Sequence, residues 1–149
     1  MNQLNLSALA FIGGIFLAIQ GGYNARLGVL LKSPLLASVL AFFFSTVFAL
    51  IIAAISLKKL PDREMIRHIP FYLWFTGGLF SVVGISLYYY TIPKLGVSTM
   101  ISLGLCGQLI FAVIAGHFGW LHLPAEPITV KRILGVLSMM AGILLINMK

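Results

Sequence analysis

Gln20 and Asn24 lie four residues apart in a long apolar stretch. On a helix both carboxamides therefore stand on one face, which Gly13 and Phe16 extend toward the N-terminal end. An amide in hydrocarbon needs a partner, and two kinds of partner are open. The pair either bonds a neighbouring helix, a contact averaging about 0.6 kcal/mol in membrane proteins, or lines a cavity and hydrogen-bonds a substrate. Gly21 and Gly22 between the amides divide the same way. They loosen the helix and free backbone groups for a ligand, as broken transporter helices do, or they pack closely, with Gly14, Ala18 and Gly22 as a small-residue stripe. Further along, Gln108 shares a helical face with Gly104, Ala112 and Gly116. Tyr88 shares another with Gly77, Ser81 and Gly84, small residues that let a helix or a ligand approach its ring.

Residue type and spacing argue against most other chemistries. The three acids, Asp62, Glu64 and Glu126, all fall in expected loops. That leaves no carboxylate within the apolar stretches to bind a cation or relay a proton, the usual arrangement in a proton-exchanging multidrug exporter. His68, His117 and His122 include no i, i+4 pair with a nearby ligand and read as interfacial. The single cysteine, Cys106, excludes an intrachain disulfide and a multi-cysteine metal site, and reads as a packed thiol. No nucleophile–base pair, acid pair or phosphate-binding glycine loop occurs, so neither an enzyme nor a cofactor is expected. Arg26, six positions from Gln20, sits about 120° round the helix and is expected to snorkel to the interface.

Composition decides what kind of element holds these residues. Of 149 residues, 60% are hydrophobic and 9% charged, with a mean hydropathy of +1.07. Soluble domains carry about 25% charged residues, so this chain lacks the polar surface for water and requires a bilayer. Its net charge of +7, ten Lys and Arg against three acids, would suggest nucleic acid in a soluble protein. Here the basic residues lie mostly between apolar runs, where they meet headgroup water and anionic lipid; nucleic acid is not an expected partner.

Five stretches approach or exceed the ~20 residues needed to cross a bilayer: residues 5–31, 34–57, 71–92, 97–121 and 130–148. Ser33 can cap the second, with Pro34 in its first turn where the missing N–H costs nothing. Pro93 disfavours helix at Ile92, and Gly96 permits a turn before the fourth stretch. Thr129 is the expected N-cap of the fifth. Residues 58–70 form a polar loop with room for one or two interfacial helical turns. Tyr72, Trp74, Trp120 and Tyr88-Tyr89-Tyr90 fall near span ends, as an aromatic belt does. Residues 1–5 hold no basic segment and the first run exceeds a signal h-region, so no cleavable signal is expected there. With five spans, Lys58, Lys59, Arg63, Arg67, Lys131 and Arg132 share the side of the N-terminus, against Arg26, Lys32, Lys94 and Lys149 on the other. Six to four leans toward a cytoplasmic N-terminus but instructs weakly, so both orientations are open.

Gln20-Gly21-Gly22-Tyr23-Asn24-Ala25-Arg26-Leu27-Gly28 followed by Ser33-Pro34-Leu35-Leu36-Ala37 resembles the opening of the small bacterial YdcZ-like family of the drug/metabolite transporter superfamily. The later pieces agree in order along the chain: Pro93-Lys94-Leu95-Gly96, Gly107-Gln108-Leu109, His117-Phe118-Gly119 and Arg132-Ile133-Leu134-Gly135. One position departs. The family pattern often has an acid just before the His-Phe-Gly piece, where this chain has Gly116, so no role of that acid carries over.

The resemblance implies an all-helical integral membrane protein of the bacterial inner membrane, a half-size transporter of five helices. Two copies, or one copy and a close paralogue, would pair antiparallel and imitate a ten-helix inverted-repeat transporter. The first four helices of each copy would then line a central cavity, with the fifth outside. Gln20, Asn24 and Gln108 match the family motif positions and would face that cavity; Tyr88 joins them from its spacing. The expected cargo is a small polar or amphiphilic metabolite moved by alternating access. The rival expectation is a membrane scaffold or accessory subunit, in which the glycine stripes pack and the amides act as interhelical glue.

Overall fold

A computed structural model describes residues 2–57, 60–122 and 125–148. Of the basic residues counted for orientation, Lys58, Lys59 and Lys149 lie outside the described residues. Every regular element among those described is helical: α1 (Gln3–Leu30), α2 (Pro34–Ser56), α3 (Arg63–Arg67), α4 (Thr76–Leu95), α5 (Val97–Phe118) and α6 (Val130–Asn147). Short 3-10 turns at Phe71–Trp74 and Trp120–His122 precede α4 and follow α5. α1, α2, α5, α6 and the segment Phe71–Leu95 are long and apolar enough to span a membrane. The small α3 lies in the polar loop between the second and third spans; Asp62 caps it by accepting from the Arg63 N–H.

The ends of the long helices follow from local chemistry. α1 closes in a Schellman turn: Ser33 N–H donates to Gly28 O at 3.0 Å and Lys32 N–H to Val29 O at 3.1 Å. The residue in the left-handed position of that turn is Lys32, with φ 52°. As the sequence predicts, Ser33 Oγ then accepts from the Leu36 N–H to cap α2, with Pro34 in its first turn. Thr129 does the same for α6 through the Arg132 N–H.

The third span differs from expectation at both ends. Its α-helix begins at Thr76, after the 3-10 turn, and continues through Pro93 to Leu95 instead of stopping at Ile92. A proline so close to the end removes one rung of the hydrogen-bond ladder but leaves the preceding turns intact. What stops the helix is Gly96, whose φ of 86° favours glycine. The fourth span likewise closes earlier than expected, at Phe118, because Gly119 takes the left-handed conformation (φ 62°).

The chain divides into two compact units, Met1–Lys94 and Leu95–Lys149. In the first, α1 packs on α2 through small residues. Gly21, Ala25 and Gly28 form the buried face of α1, and a Cβ at Gly28 would lie 3.3 Å from Pro34 Cα and 3.5 Å from Ala37 Cβ. The buried small-residue stripe is therefore 21-25-28, with Gly28 set against α2; a Cβ at Gly14 or Gly22 would meet nothing within 4 Å. In the second unit α5 packs on α6, with Met100 and Ala115 of α5 and Ile143 of α6 buried. Each unit hides little of itself: no more than 11% of any span's most apolar window is buried within the chain.

Candidate functional site

The first unit gathers its polar side chains around one tyrosine. Gln20 Nε2 and Asn24 Nδ2 each donate to Tyr89 Oη at 2.9 Å. The four-residue spacing on α1 puts both amides over the same point of α4, and Tyr89 is only 1% exposed, so its hydroxyl meets them inside the unit. Gln20 and Asn24 are themselves half-buried.

Neighbouring contacts fix this arrangement. Ile92, one turn beyond Tyr89 and buried, packs over Gly21, where a Cβ would lie 3.5 Å from its Cδ1, in ordinary van der Waals contact. Ser38 of α2 and Ser86 of α4 share a hydrogen bond of 2.9 Å, while Ser38 also donates to Pro34 O. Small residues thus bring α1 and α2 together, and two polar contacts tie α4 to them. The stripe of α4 that faces its neighbours runs from half-buried Ser86 through buried Tyr89 and Ile92, positions three residues apart.

The cluster is uncharged but directional. A phenolic oxygen has two lone pairs and one proton, and a carboxamide offers a carbonyl acceptor beside its N–H donors. With both lone pairs of Tyr89 filled by amide N–H groups, its O–H and the two amide carbonyls are the groups that can answer a neutral polar ligand.

Of the residues singled out by spacing, Gln20 and Asn24 are thus brought together. Tyr88 is half-buried and lies about 100° round α4 from Tyr89. Gln108 belongs to α5 in the second unit, where it is exposed.

The second unit has its own polar contacts. Near the end of α6, Asn147 Nδ2 donates to Ile143 O at 2.8 Å and to Ser102 Oγ of α5 at 3.3 Å. At the opposite end of α6 the segment 125–129 folds back on α5. Glu126 N–H donates to Gly116 O at 2.8 Å, and Ile128 N–H to His117 Nδ1 at 3.4 Å. Arg132 fastens the segment, forming an ion pair with the Glu126 carboxylate and donating to Glu126 O at 3.0 Å and Pro127 O at 3.5 Å. Asp62, Glu64 and Glu126 all lie outside the five spans. Glu126 nonetheless sits beside Gly116, which lies within α5.

With this geometry in place, comparison with protein families is decisive. The family model described as "Putative inner membrane exporter, YdcZ" matches residues 5–145. The chain belongs to this family. Comparison with curated proteins and with solved structures gives no match. Membership and five apolar spans make this YdcZ-family chain a multi-pass inner-membrane protein of transporter type.

The match covers the Tyr89 cluster and ends two residues before Asn147, and the groups that spacing alone did not reveal are Tyr89, the Ser38–Ser86 pair and the Asn147–Ser102 contact. A signal for Tyr89 was present in the sequence. Within Tyr88-Tyr89-Tyr90, only the middle ring is three residues from both Ser86 and Ile92, on the stripe that faces the neighbouring helices.

Proposed function

We propose that the chain is half of a transporter that works as an antiparallel dimer, with a second copy or a close paralogue, and moves a small polar or amphiphilic metabolite by alternating access. The observation that carries this reading is the Gln20–Tyr89–Asn24 cluster, an uncharged, directional group of donors and acceptors held within membrane-spanning helices. Such a cluster suits neutral hydrogen-bonding parts of a ligand. Gln20, Asn24, Tyr88 and Gln108 are the proposed contacts, and Tyr89 is the residue that orients the two amides of α1.

Two further observations support the pairing. The split of basic residues, six to four, gives neither orientation a strong advantage. The spans also bury very little of their surface within one chain, leaving most of every helix to lipid or to a partner. In this scheme the close approach of Gly28 to Pro34 and Ala37 keeps α1 and α2 moving as one body.

Exposure of the cluster to water tests the site. In a Cys106→Ser background, Asn24→Cys is expected to react with a small polar thiol reagent, and transported substrate is expected to slow the reaction. Full transport by a correctly folded chain with Gln20, Asn24 and Gln108 all replaced would reject the site. Orientation is tested separately by Lys149→Cys in the same background, labelled with a membrane-impermeant thiol reagent before and after permeabilisation. About half the molecules labelling from outside is the result expected of a homodimer with both orientations. A single orientation would direct the search to an oppositely inserted paralogue.

One observation favours a second reading, a membrane scaffold without transport: both amides already donate to Tyr89, as interhelical glue would. In that case Asn24→Cys stays silent toward the polar reagent.

A further inference from the structure

Between α5 and α6 the second unit holds an open groove of about 460 Å³, independent of the Tyr89 cluster. That volume is within the ~300–1,000 Å³ of small-molecule sites. Its walls are Leu109, Ala112 and Val113 of α5 and Gly135, Val136 and Met139 of α6, while Glu126 and Arg132 lie at one end. We infer that this groove is a phospholipid site, taking one acyl chain along its apolar walls and an anionic phosphodiester headgroup at the Lys131–Arg132 end.

The shape and lining select a chain over water. An ordered water needs two to four polar partners, and the walls away from Glu126 and Arg132 are aliphatic or glycine. A gap left open beside packed side chains forfeits their dispersion contacts, so in a bilayer a flexible hydrocarbon chain is the natural filler. Gly135 borders open space in the groove: a Cβ there would meet nothing within 4 Å.

Charge selects the headgroup. Lys131 and Arg132 against Glu126 leave one net positive charge at this end of the groove. Lys131 lies four residues before Gly135, above the same face of α6. The N-terminus of the 18-residue α6 adds its partial positive charge. Arg132 is committed to Glu126 and to two loop carbonyls, which fixes its guanidinium at the rim of the groove. Lys131 is exposed, so its ammonium is open to a phosphate.

The test uses the full chain, reconstituted in vesicles of equal phosphatidylglycerol and phosphatidylethanolamine, extracted in mild detergent and weighed by native mass spectrometry. The wild type is expected to retain one lipid, enriched in phosphatidylglycerol. Gly135→Leu places a branched side chain in the groove and is expected to reduce retention strongly while circular dichroism and gel filtration stay unchanged. Lys131→Gln leaves the walls and the Glu126–Arg132 pair in place, and is expected to lower the preference for phosphatidylglycerol roughly fivefold, the effect of about one surface cation. Equal retention by Gly135→Leu overturns the site, as does retained lipid that mirrors the vesicle whatever residue is at 131. Loss of dimer with lipid retention unchanged in Gly135→Leu would instead make the groove a contact between copies, and also overturns it.

Discussion

Tyr89→Phe removes one oxygen and, with it, the acceptor of both α1 amides. Interhelical hydrogen bonds in membrane proteins average about 0.6 kcal/mol and reach about 1.7. Losing two should therefore cost roughly 1.2 kcal/mol, an eightfold change in the folding equilibrium, with a ceiling near 3.4 kcal/mol. Gln20→Leu and Asn24→Leu should each cost about half as much as Tyr89→Phe. Because all three share one oxygen, the costs should not add: in a Tyr89→Phe background either Leu substitution has no bond left to break. The assay is reversible unfolding in mixed micelles, followed through Trp74 and Trp120. Stability of Tyr89→Phe equal to wild type, or full additivity of the three changes, would refute the shared-acceptor geometry.

Other predictions rest on single contacts. Gly28→Val places a branched side chain against the Pro34 backbone and should destabilise by about 1–3 kcal/mol, whereas Gly14→Ala, facing open space within α1, should raise the melting temperature slightly, through about 0.5–1 kcal/mol of helix propensity. Lys32→Gly should raise that temperature, since the left-handed position costs an L-residue roughly 1 kcal/mol and Lys32 holds it with φ 52°. Thr129→Ala removes the α6 cap and should cost about 1 kcal/mol; hydrogen exchange at Lys131 and Arg132 should rise first, because the cap bonds the Arg132 N–H.

The fold was largely legible because a bilayer imposes a strong pattern: five long apolar runs, broken where Ser33-Pro34 and Thr129 mark helix starts. The start of α4 was less so. Residues 71–75 are as apolar as α4 itself, and the 3-10 turn there has no distinct sequence mark. Within the site, the i, i+4 amides were visible because helical periodicity alone puts them on one face. Their partner depended on which side of α4 meets α1, and three consecutive tyrosines offered three directions. The buried stripe was chosen by packing: Ile92 fits against Gly21 and Ser86 against Ser38. The fold-back of residues 125–129 was invisible for another reason, since a loop acid reveals nothing about its neighbours until the chain returns it to Gly116.

The proline inside α4 gives Tyr89 a mechanical position as well as a chemical one. Pro93 has no N–H, and in an α-helix that N–H would reach back four residues, to the carbonyl of Tyr89. The residue whose hydroxyl collects the amides therefore also carries the rung that its own helix cannot fill. A rod bends more readily where its internal bracing is thinner, so a load on the Lys94 end of α4 would be eased by the missing rung beside Tyr89. A pull on the end of that helix would then be felt by Gln20 and Asn24 as a tilt of the ring they share, a lever that needs no charge to operate.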